Sequence, residues 1–228
     1  MSIGKSKIRE DFYNVEKEIR SINYNELIDD RLILNLKHIH KISYSMCMWK
    51  AFLEISDYND NIKLFVSEIF STYIQIIYIM PLKDLKVIKF LERNIIDNFI
   101  KIMKIMNNID ERETDIIFNK IISLNNDKEY KNMVILIKSF YKKSSNYIHS
   151  TDKSNCSLID SIKMYKQNSN YILDETINEL FKLGKYINFI FILTFSDIYS
   201  SHMNRVNRSI LMQSLDKRQR EKIMDLFY

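Results

Sequence analysis

Hydrophobic positions recur at spacings of three and four along nearly the whole chain, and short polar clusters interrupt them. That period belongs to the α-helix, whose turn brings such positions onto one face. From Lys5 to Ile22, the residues Ile8, Phe12, Val15 and Ile19 form a stripe with Arg9, Glu16, Lys17 and Arg20 outside it. A longer pattern, Glu26 to Ser56, carries Leu32, Leu36, Ile39, Ile42, Met46, Trp49 and Leu53 and predicts a core helix. Asp57-Tyr58-Asn59-Asp60 is a turn with a good N-cap; Ile62 to Met80 follows as a helix that Pro81 stops. Leu82 to Met106 predicts another core helix, with Leu85, Ile88, Leu91, Ile95 and Phe99 inside and Lys89, Arg93 and Asp97 outside. Asp110-Glu111-Arg112-Glu113 and Asn126-Asp127-Lys128-Glu129 both have the cap-plus-acid spacing of a helix start. The first leads a short helix; the second leads one through Met133, Leu136, Ile137 and Phe140 to His149.

Ser150 to Ser157 is polar without periodicity and reads as a loop, with Ser157 and Asp160 capping the next helix. Leu158 to Ser200 is helical in period, but irregularities at Gln167–Asn170 and Gly184 predict two helices there. The tail holds a helix over Met203–Met212, a cap at Ser214-Leu215-Asp216 and a last helix over Lys217–Phe227. The expectation is all-α: one domain over residues 1–228, a bundle of about seven to nine helices. Two Gly and one Pro in 228 residues are too few breakers for a sheet protein with many tight turns.

Charge changes the picture little. Thirty-four basic against 29 acidic side chains give +5, a mild excess that permits nucleic-acid contact without demanding it. The stretch 201–228 is the most basic, through Arg205, Arg208, Lys217, Arg218, Arg220 and Lys222, diluted by Asp216, Glu221 and Asp225. Cys47 reads as a core thiol and Cys156 as a loop residue; neither has the spacing of a disulfide framework or zinc site, so no metal and no cofactor are expected. The start Met1-Ser2-Ile3-Gly4-Lys5 has no apolar leader, and the run Tyr186–Phe195 falls short of a membrane span, which predicts a cytoplasmic protein without a membrane partner. Gly-rich phosphate loops, GxSxG and HExxH are absent from the sequence.

Candidate chemistry gathers at Phe140 to Lys153. On a helix, Lys142, Ser145, Asn146 and His149 share one polar face. An imidazole beside a cation and a small hydroxyl is the smallest kit that cleaves a phosphodiester without metal, one group moving a proton and the other stabilising charge on phosphorus. The bland reading is a solvated last helical turn. His38 and His40 read as packed or rim histidines, and His202 as a helix cap.

The long N-terminal helix pair, the segment Phe90-Leu91-Glu92-Arg93-Asn94-Ile95-Ile96-Asp97-Asn98 and the later Phe-Tyr-x-x-x-Ser-x-Tyr-Ile-His helix end resemble the HEPN-like superfamily of abortive-infection and CRISPR-associated proteins over about residues 26–200. The hallmark of that superfamily is Arg, four to six residues, then His. Arg93-Asn94 supplies the first half, but Asn98 stands where His belongs; Lys143 to His149 has the spacing with Lys for Arg. Lysine brings the charge without the planar two-pronged donor. Arg31 to His38 meets the spacing as composition alone would supply it. The resemblance implies an RNA-binding or metal-independent RNA-cleaving effector of prokaryotic antiphage defence. His149 would be general acid/base and Arg93 or Lys143 would stabilise the phosphorane, with Lys142, Ser145, Asn146 and Asn94 holding substrate. The site would form across a homodimer. The rival is a non-catalytic helical protein that binds a protein partner.

Overall fold

The computed structural model describes the backbone of residues 3–22, 28–149 and 158–227, and the side chains of 4–22, 28–146 and 173–227. Among these residues every regular element is helical, as the spacing predicts: α1 (Ile3–Ser21), α2 (Asp30–Glu54), α3 (Asp60–Ile79), α4 (Leu85–Met106), α5 (Thr114–Leu124), α6 (Lys128–His149), α7 (Leu158–Thr194), α8 (Arg205–Ser214) and α9 (Lys217–Phe227). The loop expected at 150–157, Cys156 within it and Ser157 of the expected cap lie outside the described residues.

Local chemistry sets the starts. Asp29 accepts from Leu32 N at 2.7 Å, Asp84 from Val87 N at 3.1 Å, and Asp127 from Glu129 N and Tyr130 N, both at 2.9 Å. Asp216 and Gln219 form a reciprocal capping box at 2.9 and 3.0 Å. The start of α5 differs from expectation. Asp110–Glu113 are not its first turn; the helix begins at Thr114, and Glu113 makes no side-chain cap bond. Pro81 does not directly end α3 but sits in a single 3₁₀ turn, Met80–Leu82, after which Lys83 takes the left-handed conformation (φ 55°) and turns the chain into α4.

The core is built around α2 and α7. Asn35 bonds Asp174, Trp49 bonds Asn188 and Tyr58 bonds Asp197, each pair 139 residues apart. A constant separation means that the two segments run parallel and in register. Residues 158–194 form one helix, not the two expected, and at 1.5 Å per residue it is about 55 Å long. Gly184 does not break it; a Cβ there would overlap Ile42 Cγ2 and stand 2.7 Å from Tyr73 Oη, so the glycine is where α7 touches α2 and α3. Past α7 the chain makes a single π turn, Ile198–His202. Trp49, Tyr73 and Phe99 are sealed in the core, as their spacing predicts. Segment 60–82 is the one stretch among the described residues long and apolar enough to cross a membrane; one face of it packs into the core through Ile62, Val66, Ile69, Tyr73 and Ile76.

Two further expectations are corrected. Cys47 is exposed, because it lies just off the buried stripe of α2. Among the described residues the cap of α8 is Asn204, not His202: Asn204 accepts from Asn207 N at 3.0 Å.

Candidate functional site

The α4 helix packs against α6 and α7, and of the sequence-nominated residues Arg93 reaches across the α4–α6 contact and Lys143 across the α6–α7 contact. Lys89, expected outside, is buried, its ammonium 2.8 Å from Glu92 Oε2 and 2.7 Å from Glu179 Oε2. Glu179 is also held by Lys143, at 2.6 Å. Glu92 is fully buried; burial raises its carboxyl above the ordinary range and outweighs the pull of Lys89. Lys89 is shared between two carboxylates, and together they outweigh its own burial and raise it. Burial also opposes the charge of Glu179, but Lys143 and Lys89 overcome it and hold that carboxyl low. Buried Ser144 donates to Phe140 O, leaving Glu92 Oε1 without a donor; a rotation of that hydroxyl would supply one.

Arg93 is anchored elsewhere. Its Nε donates to both Asp97 oxygens at 3.2 Å, its Nη2 donates to Tyr141 Oη, and its guanidinium carbon lies 3.4 Å from the Tyr141 ring centroid. Tyr141 in turn donates to Thr114 at the start of α5. Asn94 donates to Thr72 at 3.0 Å and accepts from Asn98 at 3.2 Å, so it braces α4 against α3. Asn98, where the superfamily pattern would put histidine, is buried.

Lys142 is exposed and lies 3.7 Å from Asp115, Asn146 is exposed and Ser145 half-buried. The α6 backbone ends at His149, whose side chain is outside the described residues. Position 149 is eight residues, about 12 Å of helix axis, beyond Tyr141. Arg93 and Lys143 are thus held by different carboxylates, and the Arg93 guanidinium meets α6 two turns before that position.

Beside Lys143 runs an open groove of about 690 Å³ between α6 and α7, lined by Arg31, Lys143, Lys182, Asp174, Glu175 and Glu179 among others. Arg31 pairs with Asp174. His38 stacks on Phe181 with ring centroids 4.9 Å apart, so the Arg31–His38 spacing makes no common site. His40 is buried, with Nε2 2.7 Å from Asp11; burial lowers it further than Asp11 raises it. Among the described residues no group of His, Cys, Asp and Glu has the arrangement of a metal site.

Sequence reasoning missed Lys89, Glu92 and Glu179. The available signal was Lys89 and Glu92, three apart beside the apolar stripe of α4, the spacing of a helical ion pair. Comparison with family models, curated proteins and solved structures returned no match.

Proposed function

We propose that the chain is a HEPN-like helical protein of antiphage defence that binds RNA along its α4–α6–α7 face, acting in the cytoplasm as a homodimer. The observation that supports this reading is the docking of Arg93 on Tyr141, in the helix that ends at His149. A guanidinium held over an aromatic ring is pre-organised, and its Nη1 has no partner among the described residues. The adjacent groove of about 690 Å³ carries Lys143 and Lys182, together with Asp174, Glu175 and Glu179. In a cleaving protein, His149 would move the proton and Arg93, supplied by the same or the partner chain, would steady the phosphorus centre.

One observation favours the rival, non-catalytic reading. Arg93 and Lys143 are already compensated by Asp97 and Glu179, while Ile74, Tyr78, Leu82 and Phe90 expose apolar surface on α3, the 3₁₀ turn and α4.

The test is binding and cleavage of labelled single-stranded RNA in chelator. Arg93→Ala should weaken binding about tenfold, while His149→Ala should leave binding intact and abolish any cleavage. RNA bound without cleavage by the parent chain reduces the function to binding. No RNA binding at all overturns the proposal in favour of a protein-binding module.

A further inference from the structure

A pocket of about 300 Å³ lies between the first turns of α1 and the middle of α2, with Gln213 of α8 on its third side. Next to it α1 lies hard against α8: a Cβ on Gly4 would stand 2.9 Å from Ser209 Oγ and 3.1 Å from Ile210 N. Four cations line it, Lys5 and Arg9 from α1 and Lys37 and Lys41 from α2, beside Ile8 and the buried ring of Phe12. No carboxylate is among its described lining residues. The side chains of Arg9, Lys37 and Lys41 make no hydrogen bond or ion pair among the described residues, in contrast to Arg93 and Lys143.

Two groups register the positive field. The half-buried Lys41 ammonium is pushed below the ordinary lysine range, by burial first and then by Arg220, Lys185 and Lys5. His38, on the same helix, is lowered by burial and then by Lys41 and Lys37. Of the acids on neighbouring elements, Asp216 lies 3.7 Å from Lys185 and Asp11 is taken by His40. Arg9, Lys37 and Lys41 gathered with no acid among the described lining residues cost the fold stability, a cost that a bound anion reverses.

We propose that this α1–α2–α8 pocket binds a phosphate monoester carried on a nucleotide-sized group, the phosphate among Arg9, Lys37 and Lys41 and the remainder against Ile8 and Phe12. A phosphomonoester brings close to two charges and three strong acceptors, which answers several cations lining one pocket better than a carboxylate does. The volume exceeds what a bare phosphate needs, and the Ile8 and Phe12 surfaces suit a base or sugar. Two sources share this chemistry, a free nucleoside monophosphate and the phosphorylated end of an RNA strand. The pocket is built from elements other than the α4–α6 contact, so it stands or falls independently of that face.

The experiment uses the full chain. Adenosine 5′-monophosphate and adenosine are titrated by calorimetry, and a short RNA with and without a 5′-phosphate by fluorescence anisotropy. The monophosphate should bind at least about tenfold tighter than adenosine, and Lys41→Gln and Arg9→Gln should each remove about tenfold of that affinity. Lys41→Gln should leave the melting temperature unchanged or raise it, because a repelled, half-buried charge is gone. A preference for the phosphorylated RNA identifies the strand end as the source; equal binding of the two RNAs beside tight monophosphate binding identifies the free nucleotide. Indifference to phosphate in both pairs overturns the proposal, as does a Lys41→Gln variant with undiminished affinity or a lowered melting temperature.

Discussion

Replacing Lys89 by methionine tests how the α4–α7 contact is held. Its ammonium is buried and lies 2.8 Å from one carboxylate and 2.7 Å from another. At an effective dielectric of about 20, each contact is worth roughly 6 kcal/mol of gross attraction, most of it offset by desolvation. The net loss depends on how Glu92 responds once its partner is gone. Glu179 keeps Lys143, but Glu92 is fully buried and has no other cation within ion-pair distance among the described residues, so it takes up a proton. Holding a carboxyl with an ordinary value of 4.5 in its neutral form at pH 7 costs about 3.4 kcal/mol, at 1.36 kcal/mol per unit, and this is an upper bound on the added deficit because burial already raises Glu92 in the parent. That agrees with the roughly 3–5 kcal/mol typical of breaking a buried pair from one side.

The pH dependence identifies the cause. A folded-state value raised above the unfolded one gives stability that is present below the unfolded value and lost as pH rises through the folded one. The deficit of Lys89→Met should therefore shrink on acidification between pH 7 and pH 5, by at most about 1.4 kcal/mol per unit, since Glu92 is already raised in the parent and part of the gain is common to both proteins. Urea unfolding of parent and variant at both values measures it. The double variant Lys89→Met with Glu92→Met, which leaves no unpaired buried charge, should recover most of the loss. A deficit under about 1 kcal/mol at pH 7, or one that does not change with pH, refutes the reasoning, because a sealed carboxylate cannot lose its only cation so cheaply.

Asn188→Ala should cost about 2–4 kcal/mol, because it removes the acceptor of Trp49 Nε1 at 2.7 Å and opens a cavity in the sealed core. Trp49 is the single tryptophan, so a shift in its emission should accompany the loss in urea melts, and unchanged emission would count against the pairing. Gly184→Ala should destabilise by at least about 1–3 kcal/mol although alanine is the better helix former by about 1 kcal/mol, since its Cβ would overlap Ile42; a higher melting temperature would show that α7 can move away. The His40 value is lowered in the fold, so its share of stability is present above about pH 6.5 and is lost as pH falls through the folded value; His40→Gln should flatten that part of a stability-against-pH curve.

How much of this was legible in the sequence depends on whether the deciding contact is local. The stripes of α2 and α4 are buried where their spacing puts them, and Asp127 caps α6, because period and caps are settled within a few residues. Gly184 misled because glycine is a poor helix former taken alone, whereas its use is a close approach to Ile42, 142 positions earlier in the chain. Lys89 misled for the same reason. It borders the α4 stripe, where the helical period alone allows a side chain to turn either way, and the carboxylate that draws it inward, Glu179, is 90 residues distant. Arg93 was nominated for charge on phosphorus, but Asp97 one turn along and Tyr141 from another helix already hold its guanidinium. The cations left without acids, on α1 and α2, carry no motif, since Lys37 and Lys41 look like the ordinary solvated face of an amphipathic helix. The packing of α1 against α2 and α8 brings Arg9 beside them, so the feature that best separates a ligand site from a charged surface here is the distribution of carboxylates across helices distant in sequence. The same reasoning explains why Lys143, at the centre of the most suggestive stretch, is the less free cation: Glu179, 36 residues on, neutralises it, and Lys89 then fixes Glu179 in place.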